Sequence, residues 1–204
     1  MNLPLPLLRL AIPVAYWDRR IASWRARAQR LLLEHEHQRR LLLSPDAEVE
    51  PGVIWRLGET AEVDVGEGSR LRMGAELKVD GRLRIGKRVL IGAFSTLSVL
   101  DAIEIGDDCL LAERVSIRDH DHRFGTAGLS VAEQGYEVAP VRLGRNVWLG
   151  CNVTVLKGVS LGDSCVVGAN AVVTASFPAG SVLAGVPARV IKRLPIEESH
   201  VSTD

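Results

Sequence analysis

The sequence predicts a mainly β protein: a parallel β-helix of about five to six coils, preceded by an α-helical arm and interrupted by one long extruded loop. Three observations carry this expectation. Aliphatic residues recur every six positions, as Val65, Leu71, Leu77; Ile85, Ile91, Leu97; Ile105, Leu111, Ile117; Leu143, Leu149, Val155; and Leu161, Val167, Val173. The first member of each triplet is followed by glycine, at Gly66, Gly86, Gly106, Gly144 and Gly162. The chain of 204 residues also holds 19 Gly and 47% hydrophobic residues but only 4% aromatic ones. A helical period of 3.6 cannot produce a step of six, and a simple alternating strand does not demand the glycines. Short strands joined by sharp bends do. Three six-residue units close a triangular coil, and stacked coils bury columns of small aliphatics with little room for rings. Glycine belongs where a corner needs either a positive φ or a close backbone approach.

The elements follow in chain order. Residues 1–50 form an arm. Trp17, Ile21, Trp24, Ala28 and Leu31 are spaced 4, 3, 4 and 3, which predicts a helix over roughly 14–40, starting after Pro13 and ending before Pro45. Residues 1–45 carry eight basic and three acidic groups, a net of +5; with 25 of each sign in the whole chain, the remainder is 17 minus 22, or −5. Two readings of the arm stand side by side. It is a helix docked on its own domain or on a neighbouring subunit, or it makes peripheral membrane contact, since Trp on one face and Arg on the other suit a lipid surface. The first residues, broken by Pro4, Pro6 and Pro13, do not read as a secretory signal. The coil domain spans 51–194, with Val53–Thr60 available for a sixth coil. Residues 123–140 keep no six-residue register and are expected to leave the coil as a loop, of a length usually functional or disordered. Residues 195–204 are a tail.

Composition excludes several classes. A net charge of zero and a pI near 7.0 argue against a dedicated nucleic-acid binder. No apolar run approaches the ~18 residues that span a bilayer. Three Cys without a CxxC pair give no disulfide framework and point to a reducing cytoplasm, with the inner membrane face as the alternative place for the arm.

Chemistry concentrates at one place. Of five His, His35 and His37 fall at the end of the predicted helix and His200 in the tail. His120 and His122 stand together in DHDH, residues 119–122, where the regular coil gives way to the loop. Imidazole, with an unperturbed pKa of about 6.5, is the side chain best suited to take a proton at neutral pH. An H-x-H pair alone is a weak metal signal, and no third His lies in the coil domain.

The segment Val141–Leu194, VRLGRNVWLGCNVTVLKGVSLGDSCVVGANAVVTASFPAGSVLAGVPARVIKRL, and the preceding VSIRDHDHRF resemble the hexapeptide-repeat acyltransferases, within them the galactoside, maltose and polysaccharide O-acetyltransferase branch. The resemblance is strong from about Ile85 to Leu194, weaker over 53–84 and absent over 1–50. It implies a left-handed coil, against the usual right-handed crossover rule, and a homotrimer with sites at subunit boundaries. The implied activity is transfer of an acyl group, with acetyl-CoA as co-substrate and no tightly bound cofactor, to the hydroxyl of a sugar, polysaccharide or glycolipid. Transfer to the amine of an amino sugar or a xenobiotic is the alternative within the class. A γ-carbonic-anhydrase-like metalloenzyme, whose HxxxxH pair is missing, and a non-catalytic scaffold are further alternatives.

The resemblance also implies site residues. His122, five residues after Ile117, stands where the family's catalytic His stands and is expected to act as general base without an acyl-enzyme. Asp119, His120 and Asp121 are expected to orient it or bind the acceptor, and Glu137 in the loop could bind sugar hydroxyls. Trp148 is expected to line the groove near that His. Cys151, Gly168, Ala169 and Thr174 match positions along the pantetheine arm and adenine of CoA, and Arg189 and Lys192 match positions that meet its phosphates. The usual Lys after the TVV-type Thr is Ala175 here, so one phosphate-binding cation is missing or is replaced by another such as Arg193. Cys109 and Cys165 fall on inward repeat positions and read as small core residues. The arm does not match the acceptor-binding helical domain of the maltose and galactoside enzymes.

Overall fold

The computed structural model of the chain describes residues 40–195. The predicted helix over 14–40, but for its last residue, and the tail from 196 onward lie outside the described residues. Within them the short strands stack into three parallel sheets, the faces of a triangular coil. The first face comprises Leu41–Leu43, Glu62–Val65, Arg82–Ile85, Ala102–Ile105, Val141–Leu143 and Ser160–Leu161. The second comprises Glu48–Val49, Arg70–Leu71, Leu90–Ile91, Leu110–Leu111, Trp148–Leu149, Val166–Val167 and Ser181–Ala184. The third comprises Ile54–Leu57, Glu76–Val79, Thr96–Val99, Ser116–Arg118, Thr154–Val155 and Val172–Val173. These make six coils. A seventh begins with Phe177, bridged to Leu161, and Ser181–Ala184, then ends as Arg189–Arg193 folds back antiparallel.

The six-residue period is met in full. All fifteen repeat positions, from Val65 to Val173, are at most 3% exposed, so identical aliphatic columns line the inside of every face. Residues two places earlier, such as Val63, Leu83, Ile103 and Val141 on the first face, are buried too. Each buried aliphatic contributes about 1.5–3 kcal/mol relative to exposure.

Two expectations change. The coil begins at Leu41, ten residues before the predicted boundary at 50–51. Leu41 pairs with Val63 and Leu43 with Val65 on the first face, and Glu48 pairs with Arg70 on the second. The sixth coil is therefore 41–57, not 53–60. It escaped the repeat because Ser44 stands where later coils have glycine, and because Trp55 takes an inward position that later coils give to Leu, Ile or Val.

The corner glycines serve close approach, not positive φ. Gly66, Gly86, Gly106, Gly144 and Gly162 are absent from the left-handed region. A Cβ on Gly66 would lie 2.5 Å from the Gly86 carbonyl oxygen, and one on Gly106 would lie 2.6 Å from that of Gly144. The left-handed residues come two places later: Arg88, Asp108, Asn146 and Ser164, with φ of 55–61°. Their strain of ~1–2 kcal/mol each is offset by side chains stacked from coil to coil. Arg88 grips Asp108 through two bonds of 2.6 and 2.8 Å, and Asn146 donates to the Ser164 hydroxyl at 3.0 Å.

Candidate active site

The site is built where the chain leaves the third face after Arg118. On that face the inward residues two beyond the repeat position are Val79 and Val99, both buried. The next coil puts Asp119 there, with no exposed surface. Its carboxylate has a structural reason to be inside. In the lower coils the ladder continues past the strand: the Gly58 amide donates to the Val79 carbonyl and the Asp80 amide to the Val99 carbonyl. At Asp119 the backbone turns away, and its side chain supplies the missing acceptor. It takes N–H bonds from Leu100 at 2.9 Å and Asp101 at 2.7 Å. It also takes one from His120 Nδ1 at 2.8 Å, which in a neutral ring leaves Nε2 as the free acceptor.

The long insertion is a hairpin. Its stem pairs His120–His122 antiparallel with Tyr136–Val138, His122 opposite Tyr136 and His120 opposite Val138. The DHDH motif thus forms a strand, and the excursion begins at residue 120 and not 123. Strands of three residues give too little alternation to be read in advance. Near the tip, Ser130 and Glu133 form a capping box on a short helical turn, Val131–Gln134. Residues two apart share one side of a strand, so His120 and His122 project together. The Tyr136 ring lies 4.4 Å from the His122 ring and stands edge-on to His120 at 5.3 Å. Lys157, one coil further and mostly covered, braces both strands, with Nζ 3.2 Å from Glu137 and 4.0 Å from Asp121. Asp121 and Glu137 are therefore tied to the stem.

Below the histidines runs a cleft of about 320 Å³. Its floor is the outward side of the third face, with Thr96, Ser98 and Ser116 flanked by Lys78 and Arg118, and its rim is His120, Asp121, His122 and Tyr136. Lys78, Arg118, Tyr136 and Lys157 are site residues that sequence reasoning missed. The register held a signal for Lys157: it stands two beyond Val155, as Asp119 stands two beyond Ile117.

The remaining expected residues lie elsewhere on the chain. Trp148 is half-exposed on the second face, in register between Leu110 and Val166. Cys151 sits at the following corner, its thiol 2.9 Å from the Glu113 carboxylate. That contact holds the Glu113 carboxyl below the usual range. Gly168 and Ala169 occupy the same corner one coil on, where the Asn170 amide donates to the Cys151 carbonyl at 2.9 Å. Thr174 follows the last strand of the third face, and Arg189 and Lys192 are exposed on the final strand. One chain therefore gathers Asp119, His120, Asp121, His122 and Glu137 around the hairpin stem, and leaves Trp148 on another face. Among the described residues no three His, Cys, Asp or Glu side chains converge as a metal site, and no helix is long and apolar enough to cross a membrane.

The three cysteines are free and differ sharply in setting. Burial pushes the Cys109 thiol up to about 11, and burial raises Cys165 as well. At pH 8 about one Cys109 in a thousand would be thiolate, the nucleophilic form. Iodoacetamide at pH 8 is expected to label Cys151 in the folded protein and to reach Cys109 and Cys165 only after denaturation, as read by peptide mass spectrometry.

Fold and cluster together define a β-solenoid whose histidine-bearing hairpin overhangs a polar cleft. The family described as the hexapeptide repeat of succinyl-transferase matches residues 82–113 and 140–175, the coils on either side of that hairpin. A putative lipopolysaccharide biosynthesis O-acetyl transferase of Escherichia coli, WbbJ, is 34% identical over 140 residues, covering 64% of this chain and 71% of that protein. A probable acetyltransferase of Mycobacterium tuberculosis is 36% identical over 135 residues, covering 66% of this chain. The match spans only 45% of that mycobacterial relative's length. Among solved structures, the N-acyltransferase AntD of Bacillus cereus, in complex with dTDP and 3-hydroxybutyryl-CoA, superposes with a TM-score of 0.68 at 20% identity, over 78% of this chain and 86% of that one. The chain belongs to the hexapeptide-repeat acyltransferase family, and its coil is the left-handed parallel β-helix of that family.

Proposed function

We propose that this chain is an acyl-CoA-dependent O-acyltransferase that uses acetyl-CoA to acylate a hydroxyl of a sugar, polysaccharide or glycolipid. The observation that carries the proposal is the pair His120–His122 on an extruded hairpin stem, beside a hydroxyl-lined cleft, in a chain 34% identical to a putative O-acetyl transferase.

In the proposed reaction the acceptor oxygen attacks the thioester carbonyl directly. The C–O bond forms, the C–S bond breaks, and the acceptor proton passes to His122 and on to the departing thiolate of CoA. Attack and proton removal must coincide, because an alcohol oxygen acquires positive charge as it bonds, and a positioned base contributes typically ~10²–10⁴-fold. Asp119 holds His120 by Nδ1, which supports a role for His120 in positioning the acceptor or its neighbour His122. Tyr136 fixes the His122 ring by its face. The donor would lie along the corner of Cys151, Gly168 and Ala169, past Thr174, with its phosphates near Arg189 and Lys192.

We further propose a homotrimer. On the second face the outward row Leu90, Leu110, Trp148, Val166 and Val182 is apolar through five consecutive coils. Such a row favours burial against a second copy, which would bring a neighbour's Trp148 toward this chain's His122.

A thiol-release assay with acetyl-, succinyl- and longer acyl-CoA against sugars, amino sugars and glycolipids tests the function. Release of CoA is expected with acetyl-CoA and hydroxyl acceptors. Release only with amines would replace the O-acyl reading by the N-acyl one, and no release with any pair would remove both.

A further inference from the structure

The cleft beneath the histidines carries a chemistry of its own. In the register of the third face, Lys78, Ser98 and Arg118 stand in one outward row on three successive coils. Two inter-strand spacings of ~4.8 Å put the backbones of Lys78 and Arg118 about 10 Å apart, within common reach of two long side chains. Neither cation forms an ion pair among the described residues; Arg118 makes only a 3.4 Å contact with the Ser116 hydroxyl. Arg56, beside them on the same face, is by contrast bound to Glu76. Hydroxyls of Thr96, Ser98 and Ser116 fill the floor between them. Among the described residues one carboxylate lines the cleft, Asp121, and Lys157 lies 4.0 Å from it. The cleft is therefore a basic, donor-rich trough.

Its position gives the trough a role. Lys78, Ser98 and Arg118 all precede the hairpin in the chain, on coils below the histidines. The residues assigned to the acyl donor, from Cys151 to Lys192, all follow it, on coils above. Direct transfer needs donor and acceptor to meet at the base from two directions, which leaves the lower trough to the acceptor.

We infer that this trough is a subsite for an oxyanion of the acceptor, a phosphate or a carboxylate held by Lys78 and Arg118, so that the substrate is an anionic sugar and not a neutral one. The inference rests on the acyl-transfer reading and names its substrate class. An Arg fork and a Lys ammonium with three hydroxyls match the many acceptor oxygens of a phosphate. The same groups accept a carboxylate.

The test is calorimetric titration of the full chain, saturated with CoA, with inorganic pyrophosphate and separately with malonate. At least one of the two is expected to bind. The double variant Lys78→Ala/Arg118→Ala is expected to weaken it tenfold or more, with CoA affinity unchanged. The control Arg142→Ala, a cation of the first face, should bind as the parent does. Which probe binds tells phosphate from carboxylate. If neither binds, if binding survives in the double variant, or if saturating CoA displaces the probe from the parent protein, the subsite is overturned while the acyl-transfer reading stands. If CoA itself fails to bind, that reading falls and the subsite with it.

Discussion

His122→Ala is expected to lower the rate of acceptor-dependent CoA release by about 10²–10⁴-fold, the usual contribution of a positioned general base. The affinity for CoA and the thermal midpoint should stay as they are. The His122 ring is exposed and rests against the face of Tyr136, so its removal leaves no buried donor or acceptor without a mate. His120→Ala is the companion measurement. The two rings project to the same side of one short strand, and His120 is the one with a buried carboxylate behind it. If His122 is the base, its loss abolishes the proton-transfer contribution and the loss of His120 costs less. An unchanged rate in His122→Ala with a collapsed rate in His120→Ala would transfer the role to the Asp119-oriented ring.

Asp119→Ala is expected to be the most damaging single change to stability in the site. It would strip the part-buried Leu100 and Asp101 amides of the acceptor that the buried Asp119 side chain supplies, and it would release His120. Each orphaned buried amide costs about 1–3 kcal/mol. Two such amides total about 2–6 kcal/mol, which corresponds to a fall in thermal midpoint of roughly 4–24 °C for a chain of this size. Activity should fall as well, since His120 loses its tautomer and its orientation. Asp119→Asn separates the two effects. With its amide oxygen in the Oδ2 place the side chain still takes the Leu100 and Asp101 protons, so most of the midpoint returns, while the amide N–H left facing His120 Nδ1 can only donate, which reverses the ring tautomer, and the rate stays low. A midpoint unchanged in Asp119→Ala would show that the side chain does not complete the ladder.

That ladder explains why so much of the fold, and so little of the site, is legible in the residues alone. A solenoid repeats one local solution. Every coil needs an aliphatic at the same inward place and a glycine where the next coil's backbone comes within 2.6 Å of a would-be Cβ, as at Gly106, so the period is written in the chain. The start of the coil at Leu41 was hidden because an end coil is held to weaker rules: with Ser44 and Trp55 it tolerates a missing glycine and a ring. Positive φ at Arg88, Asp108 and Asn146 was invisible for a different reason. Those conformations are stabilised by stacking between residues 18 or more apart, such as the Arg88–Asp108 and Asn146–Ser164 pairs, not by any local preference for the left-handed region.

Residue type at a fixed spacing is enough to specify the stacked-coil architecture, its interruption near residue 123 and the histidine pair at that interruption. The surroundings of that pair follow from the stacking of coils instead. Asp119 is a buried ladder acceptor, Tyr136 and Lys157 brace the stem, and Lys78 and Arg118 line the cleft beneath it. These groups come from positions up to about 80 residues apart in the chain. Their meeting depends on the register in which whole coils stack, a property no short stretch of sequence carries.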